Sequence, residues 1–298
     1  KKQKEIAEDS HLPKKVRKVF ISQAYNENSF KFWLADKINK GVKLAHGQHG
    51  AGHNIYKEFF GDYFEKGISQ KFFTWGSVGN DKETVTAGNY LLNDTKPKVS
   101  SNKRKILLVL PTVDIIKRTP QIFNLDSFSK DVLEYQIFVD NIKPDLWNQT
   151  SIKNHPQISR RELNYLNFIP FDKKIKVLKK NITFEKSILD QNLIIFNYLS
   201  TEFLKMLSLD KPCMLMLNKN FFSDLVIEEI KEDFYKLSEI GVFHTNGASL
   251  AHQVNNNINN IDNWWNNEKS NKLKNEFCHK HSNPNFNIDI FVDQLVKL

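Results

Sequence analysis

Cysteine is nearly missing from this sequence: Cys213 and Cys278 are the only two, far apart and outside any CxxC or Cys/His spacing. That excludes a disulfide scaffold and a cysteine-based structural zinc site. Also missing is an uninterrupted apolar run of about 18 residues, the length a membrane span needs. The opening KKQKEIAEDS has no apolar core of the kind a signal peptide carries, so a cytoplasmic location is expected. No repeat of solenoid period is visible. Alanine is scarce beside abundant Asn and Lys, which reflects coding bias and points to no function. The chain starts at Lys1 rather than at Met, and a fragment of a longer protein is expected.

What is present suffices for real cores. The 298 residues are 40% hydrophobic and 12% aromatic, with 23 Phe, enough for one large or two ordinary domains. Lys and Arg total 43 against 34 acidic residues, a net charge of +9. Such a balance suits an anionic partner: nucleic acid, an anionic membrane face or a phosphorylated small molecule. Solubility alone accounts for it equally well. The basic runs at Lys173–Lys176 and Lys179–Lys180 lack interleaved aromatics and any nucleic-acid module, so they are expected to be solvated surface.

Hydrophobic patterning predicts a strand over Val16–Ala24, a helix over Asn26–Lys40 with Phe30, Trp33, Leu34 and Ile38 on one face, and a strand from Val42. This is a βαβ unit, whose parallel strands bring the loops at their C-terminal ends to one functional edge. The loop there is His46–His53. A short strand follows at Lys71–Ser77, then a polar linker over Leu92–Lys103. A second series opens with a central strand at Arg104–Thr112, a helix over Ser127–Ile142 and a strand around Ser151–Pro156. Leu193–Leu217 parses as buried strand, tight turn, helix capped by Ser200 or Thr201, turn at Asp210–Pro212, and buried strand. Helices are expected over Asp224–Ile240 and Gly247–Trp265, with a short strand at Gly241–Phe243.

Three places carry chemistry. In Gly47-Gln48-His49-Gly50, an imidazole sits between glycines at a strand end, where it can act as a base near neutral pH, or simply hydrogen-bond its own loop. His46 and His53 lie close by, but on a Gly-rich loop rather than a helix face, so no metal is expected. Ser200-Thr201-Glu202 opens a helix after a buried strand, where free N–H groups hold phosphate, although plain N-capping explains the same residues. His155-Pro156 ends a preceding strand and could offer a donor to a diphosphate, with Arg160 and Arg161 nearby. Trp75 and the pair Trp264-Trp265 could stack on a ligand, but packing is the expected role.

The order of these motifs resembles a family of transferases found in bacterial O-antigen and other surface-carbohydrate gene clusters. The matching pieces are Phe30–Leu44, Gly47-Gln-His-Gly, Phe73-Thr-Trp-Gly, Leu199-Ser-Thr-Glu-Phe-Leu, Gly241-Val-Phe-His, Val254-Asn-Asn and Trp264-Trp265 followed by Phe277. More distantly, the arrangement is similar to the CDP-glycerol glycerophosphotransferases of teichoic-acid synthesis, which have two Rossmann-type domains (GT-B). That resemblance implies His49 as base with Gln48, Gly50 and His53 as its loop, and His155 as phosphate or leaving-group contact. It also implies Asn197, Tyr198, Ser200, Thr201 and Glu202 as the donor-phosphate cradle. Phe196-Asn197-Tyr198-Leu199-Ser200-Thr201 departs from the acidic residue and Tyr-Ser-Ser of the teichoic enzymes, which leaves the donor open.

The resemblance therefore implies an α/β, GT-B-like fold: residues 1–100 as part of an acceptor-side domain only partly present, 101–246 as the nucleotide-sugar domain, and 247–298 as helices packing back across both. The implied activity is metal-independent glycosyl transfer, without cofactor, from a nucleotide-activated sugar to a carbohydrate or lipid-linked glycan at the inner membrane. A CMP-linked nonulosonic acid is the first expected donor, and nucleic acid is not an expected partner. The rivals are glycerophosphate or polyol-phosphate transfer on the same fold, and a non-catalytic carbohydrate- or nucleotide-binding module.

Overall fold

The computed structural model describes residues 5, 11–23, 27–79, 83–92, 104–111, 113–114, 125–154, 162–163, 165–169 and 175–298. They form two compact units, each an α/β assembly on a parallel sheet. Unit 1 comprises Lys1–Asn54, Phe59–Leu91 and His279–Leu298, and unit 2 comprises Ile55–Glu58 and Leu92–Cys278. The chain thus passes from one unit to the other more than once, whereas the expected division ran consecutively as 1–100, 101–246 and 247–298.

In unit 1 the strands β1 (Lys18–Ile21), β2 (Lys43–Gly47), β3 (Lys71–Thr74) and β4 (Thr84–Thr86) pair in that order, all parallel. Helix α1 (Asn28–Asn39) links β1 to β2 and α2 (Phe60–Ile68) links β2 to β3. A parallel sheet needs cover on both faces. Alternation along β2 provides it: Leu44 joins Ile21, Trp33 and Leu34 on the α1 side, while Ala45 joins Phe73 and Ala87 on the other. There the C-terminal helix Ile288–Val296 lays Phe291 and Leu295 against the sheet.

Unit 2 carries six parallel strands. They are β5 (Ile106–Leu110), β6 (Thr150–Asn154), β7 (Lys176–Val177), β8 (Leu193–Phe196), β9 (Cys213–Met216) and β10 (Phe243–His244). Their spatial order is β10-β9-β8-β5-β6-β7. The chain therefore builds outward from β5 on one side, then returns to build on the other, and the order reverses between β5 and β8. Both strands are fully buried, as their uninterrupted Leu/Ile/Val/Phe content demands. Helix α3 (Leu125–Asn141) follows β5, and α4 (Thr201–Ser208) joins β8 to β9.

The expected strands and the α1, α3 and α4 helices are present, with ends shifted by a few residues. Two expected helices are each broken in two. Asp224–Ile240 becomes Lys219–Leu225 and Glu228–Glu239, because Val226 bridges to Tyr56 and the Ile227 amide donates to the Ile55 carbonyl at 2.9 Å. Gly247–Trp265 becomes Gly247–Asn257 and Ile261–Trp265. The strand expected over Gly241–Phe243 is Phe243–His244, since Gly241 closes the preceding helix with φ 68°. Trp264 and Trp265 are packing residues: their indole N–H groups donate to the Ile240 carbonyl at 2.7 Å and to Asp210 Oδ1 at 2.7 Å.

Gly76 lies where a Cβ would run into the Lys280 carbonyl, a backbone group that cannot give way, while Gly67 near the end of α2 has open space around it. Gly76→Ala should destabilise the protein by about 1–3 kcal/mol in urea titration. Gly67→Ala should instead stabilise it by about 0.5–1 kcal/mol. The opposite ranking would refute the packing described here.

Candidate active site

β2 ends at Gly47, and the Gly-rich loop that follows is held by Gln48. Its amide N–H donates to the Phe73 carbonyl at 2.8 Å, its Oε1 accepts from the Trp75 amide at 2.9 Å, and its Nε2 donates to the Gly50 carbonyl at 3.2 Å. The Tyr90 hydroxyl donates to the Gln48 carbonyl. With Gln48 buried and fully engaged, the next residue, His49, is delivered at the C-terminal edge of the sheet.

His49 does not stand alone there. Its Nε2 lies 2.9 Å from Glu65 Oε1, and its ring meets the His53 ring edge to face at 4.6 Å. His53, wholly buried, points Nδ1 at Asp62 Oδ1 at 3.1 Å and Nε2 towards Glu65 Oε2 at 3.7 Å. Asp62 Oδ2 also accepts from the Asn54 amide at 2.8 Å. Asp62 and Glu65 both come from α2, a helix that sequence patterning did not register. Its three-residue spacing places both carboxylates on one face, towards the loop. The loop residues His49 and His53 were expected together, but their carboxylate partners were not.

Burial governs the protonation of the neighbouring imidazoles. Loss of hydration pushes His46 down from an ordinary 6.5 to about 4, with Glu65 partly opposing and the other two histidines reinforcing. Burial lowers His53 as well, against the pull of Asp62 and Glu65. Ligand atoms of His49, His53 and Glu65 all lie within 4.8 Å of one another, so these three could also hold a metal ion. The expectation of no metal rested on the loop histidines alone and did not include Glu65.

The second candidate region lies in unit 2, at the C-terminal edge where strand order reverses. A cavity of about 370 Å³ opens there, lined by Val109 of β5, Lys153 and Asn154 of β6, Lys180–Phe184, and Tyr198 and Glu202 of the β8–α4 turn. Lys153 is 5% exposed, and burial lowers its pKa. Burial also raises the Tyr198 phenol, with Glu202 adding to the shift. Lys180 is exposed, as expected of the basic surface, and it also borders this cavity.

Ser200 is the N-cap of α4: its Oγ accepts from the Phe203 amide at 3.0 Å. Thr201 and Glu202 form the first turn. Asn197 is 1% exposed, and neither its amide oxygen nor its amide nitrogen finds a hydrogen-bond partner among the described residues. His155, Pro156, Arg160 and Arg161 lie outside the described residues.

The LIC12162 family transferase model matches residues 2–294 of the chain. No curated protein matches it. Among solved structures the chain is similar to a variant of the wall teichoic acid polymerase TagF, at 14% identity and TM-score 0.47 over 87% of this chain and 68% of that one. It is also similar to Acinetobacter baumannii MurG, at 12% identity and TM-score 0.44 over 95% and 74% of the two chains. The spinosyn forosaminyltransferase SpnP follows at 10% identity and TM-score 0.42 over 86% and 71%.

A histidine buried as the neutral base stabilises the fold fully above its unfolded value, and that contribution is lost as pH falls towards the folded value. For His46 the window runs from 6.5 down to about 4, and His244 in unit 2, also near 4 through burial, has the same sign. Urea-unfolding stability should therefore fall by a few kcal/mol across this window, at about 1.4 kcal/mol per unit of pKa difference. His46→Asn should flatten part of the slope. A flat profile would contradict the burial of neutral imidazoles.

Proposed function

Since this chain belongs to the LIC12162 family of transferases, we propose that it is a GT-B glycosyltransferase that moves a sugar from a nucleotide-activated donor to a surface polysaccharide or glycolipid acceptor. The observation that carries the reading is the cavity at the strand-order reversal of unit 2, with Lys153 and Lys180 beside the β8–α4 turn. Open α/β sheets bind ligands at the carboxyl ends of their strands where the order reverses. There the lysines supply point charges for phosphate and the start of α4 adds its dipole. Cavity volumes of this size suit a small organic ligand.

In unit 1, His49 acts as general base on the acceptor hydroxyl, and no metal takes part. In unit 2, Lys153, Lys180 and the first turn of α4 balance the charge that builds on the departing nucleotide. Asn197 and Tyr198 stand in the turn that frames the donor, and His155 is the phosphate or leaving-group contact that the resemblance implies. A CMP-linked nonulosonic acid is the preferred donor, on the strength of the resemblance to surface-carbohydrate transferases. The enzyme works in the cytoplasm on an acceptor at the inner membrane; no described helix is long and apolar enough to cross one.

Calorimetry and thermal shift against CMP, CDP, UDP, GDP and ADP test the donor side. CMP should stabilise the protein, by about 2.7 kcal/mol at a hundredfold excess over Kd, and Lys153→Ala should abolish the gain. Stabilisation by no nucleotide would overturn the donor assignment. In a transfer assay His49→Ala should lower kcat by at least about 100-fold; a product carrying a new phosphodiester would indicate polyol-phosphate transfer instead.

A further inference from the structure

We infer that Glu65 is the positioning residue of the His49 base, fixing it as the tautomer whose bare Nδ1 takes the acceptor proton. This rests on the base role proposed for His49 and assigns the part played by a second element of the fold.

An ionised carboxylate only accepts hydrogen bonds, so a carboxylate 2.9 Å from His49 Nε2 requires the ring proton to sit on that nitrogen. Nδ1 is then left with its lone pair, and it makes no hydrogen bond to any described residue. Glu65 is 2% exposed, while the His49 side chain retains 18%. The carboxylate is thus sealed inside, and the ring it holds reaches the surface. This asymmetry suits a group that acts through another rather than on the substrate itself.

The surroundings strengthen the arrangement. His53 Nδ1–H donates to Asp62, which leaves the neutral ring with a bare Nε2, and that nitrogen faces Glu65 Oε2 at 3.7 Å with no hydrogen bond formed. Glu65 therefore receives no proton from His53, and its charge remains directed at His49. Lys66, its neighbour on α2, donates to Asn54 Oδ1 at 2.9 Å.

In the reaction the acceptor O–H proton passes to His49 Nδ1 as the oxygen bonds to the anomeric carbon of the donor. The bond from that carbon to the phosphate oxygen breaks, and its electron pair leaves on the nucleotide. The imidazolium so formed keeps its Nε2–H on Glu65, which stabilises the new charge. Loss of the Nδ1 proton to water resets the base. Removing the comparable carboxylate from a histidine in serine proteases costs about 10⁴-fold in rate by admitting the wrong tautomer.

The test is the histidine ring ¹H–¹⁵N two-bond spectrum of the full chain at neutral pH, with His49→Ala assigning the ring. His49 should show a protonated Nε2 and a bare Nδ1. Glu65→Gln and Glu65→Ala should shift the tautomer ratio roughly tenfold or more towards Nδ1–H, as loss of a charged hydrogen bond demands, and Glu65→Asp should restore part of it. A wild-type ring protonated at Nδ1 would overturn the proposal without any variant being folded. So would a ratio unmoved in Glu65→Gln, or stoichiometric zinc in the purified protein with a metal-shifted His49 Nε2. Full turnover in His49→Ala would instead sink the base role itself, a separate outcome read in the transfer assay.

Discussion

Parallel strands satisfy their amides only against neighbours that run the same way, so every strand of such a sheet must end at one edge. Connections then have to cross back over the faces and cover them with helices. Both sheets obey this constraint, and the rest of the structure follows from it. Ile106–Leu110 and Leu193–Phe196 are buried end to end, so the first polar residues after them, beginning with Asn197, collect at a common edge. In unit 1 the same rule brings the end of β2 level with the end of β3, where Gln48 bonds to Phe73 and Trp75 and sets the loop that carries His49.

The proposed base at the unit 1 edge leans on a buried carboxylate that has no arginine beside it among the described residues. Burying an unpaired charge costs several kcal/mol, and Glu65 offsets part of this through its hydrogen bond with His49 Nε2. Asp62 performs the matching task for His53, with the Asn54 amide as a further donor. Polar networks of this kind hold their geometry because each missing hydrogen bond is expensive in a low dielectric. An imidazole held in this way keeps its orientation.

Much of this was legible in the sequence, for identifiable reasons. Buried parallel strands read as continuous apolar runs, so β5, β8 and β9 stood out. The Ser200 cap and the Asp210 turn were visible because their residue types have few other uses. The carboxylates of α2 were not legible: Phe60–Ile68 is short and carries two glycines, and nothing in the chain links Glu65 to His49 until the βαβ crossover folds it over the loop. The break after Leu225 escaped notice for a similar reason. It arises from a bridge to Tyr56, far away in sequence, and tertiary pairing overrides helical periodicity there. Lys153 sat in an ordinary-looking strand, and only the sheet order brings it to the reversal point.

On the proposed function, the strand-order reversal of unit 2 holds the nucleotide of a transferase donor. Amide hydrogen exchange with and without CMP tests it most directly. With CMP bound, exchange should slow only at the ends of β6 and β8, in the first turn of α4 and at residues 180–184. Protection elsewhere, or none at saturating CMP, would contradict it.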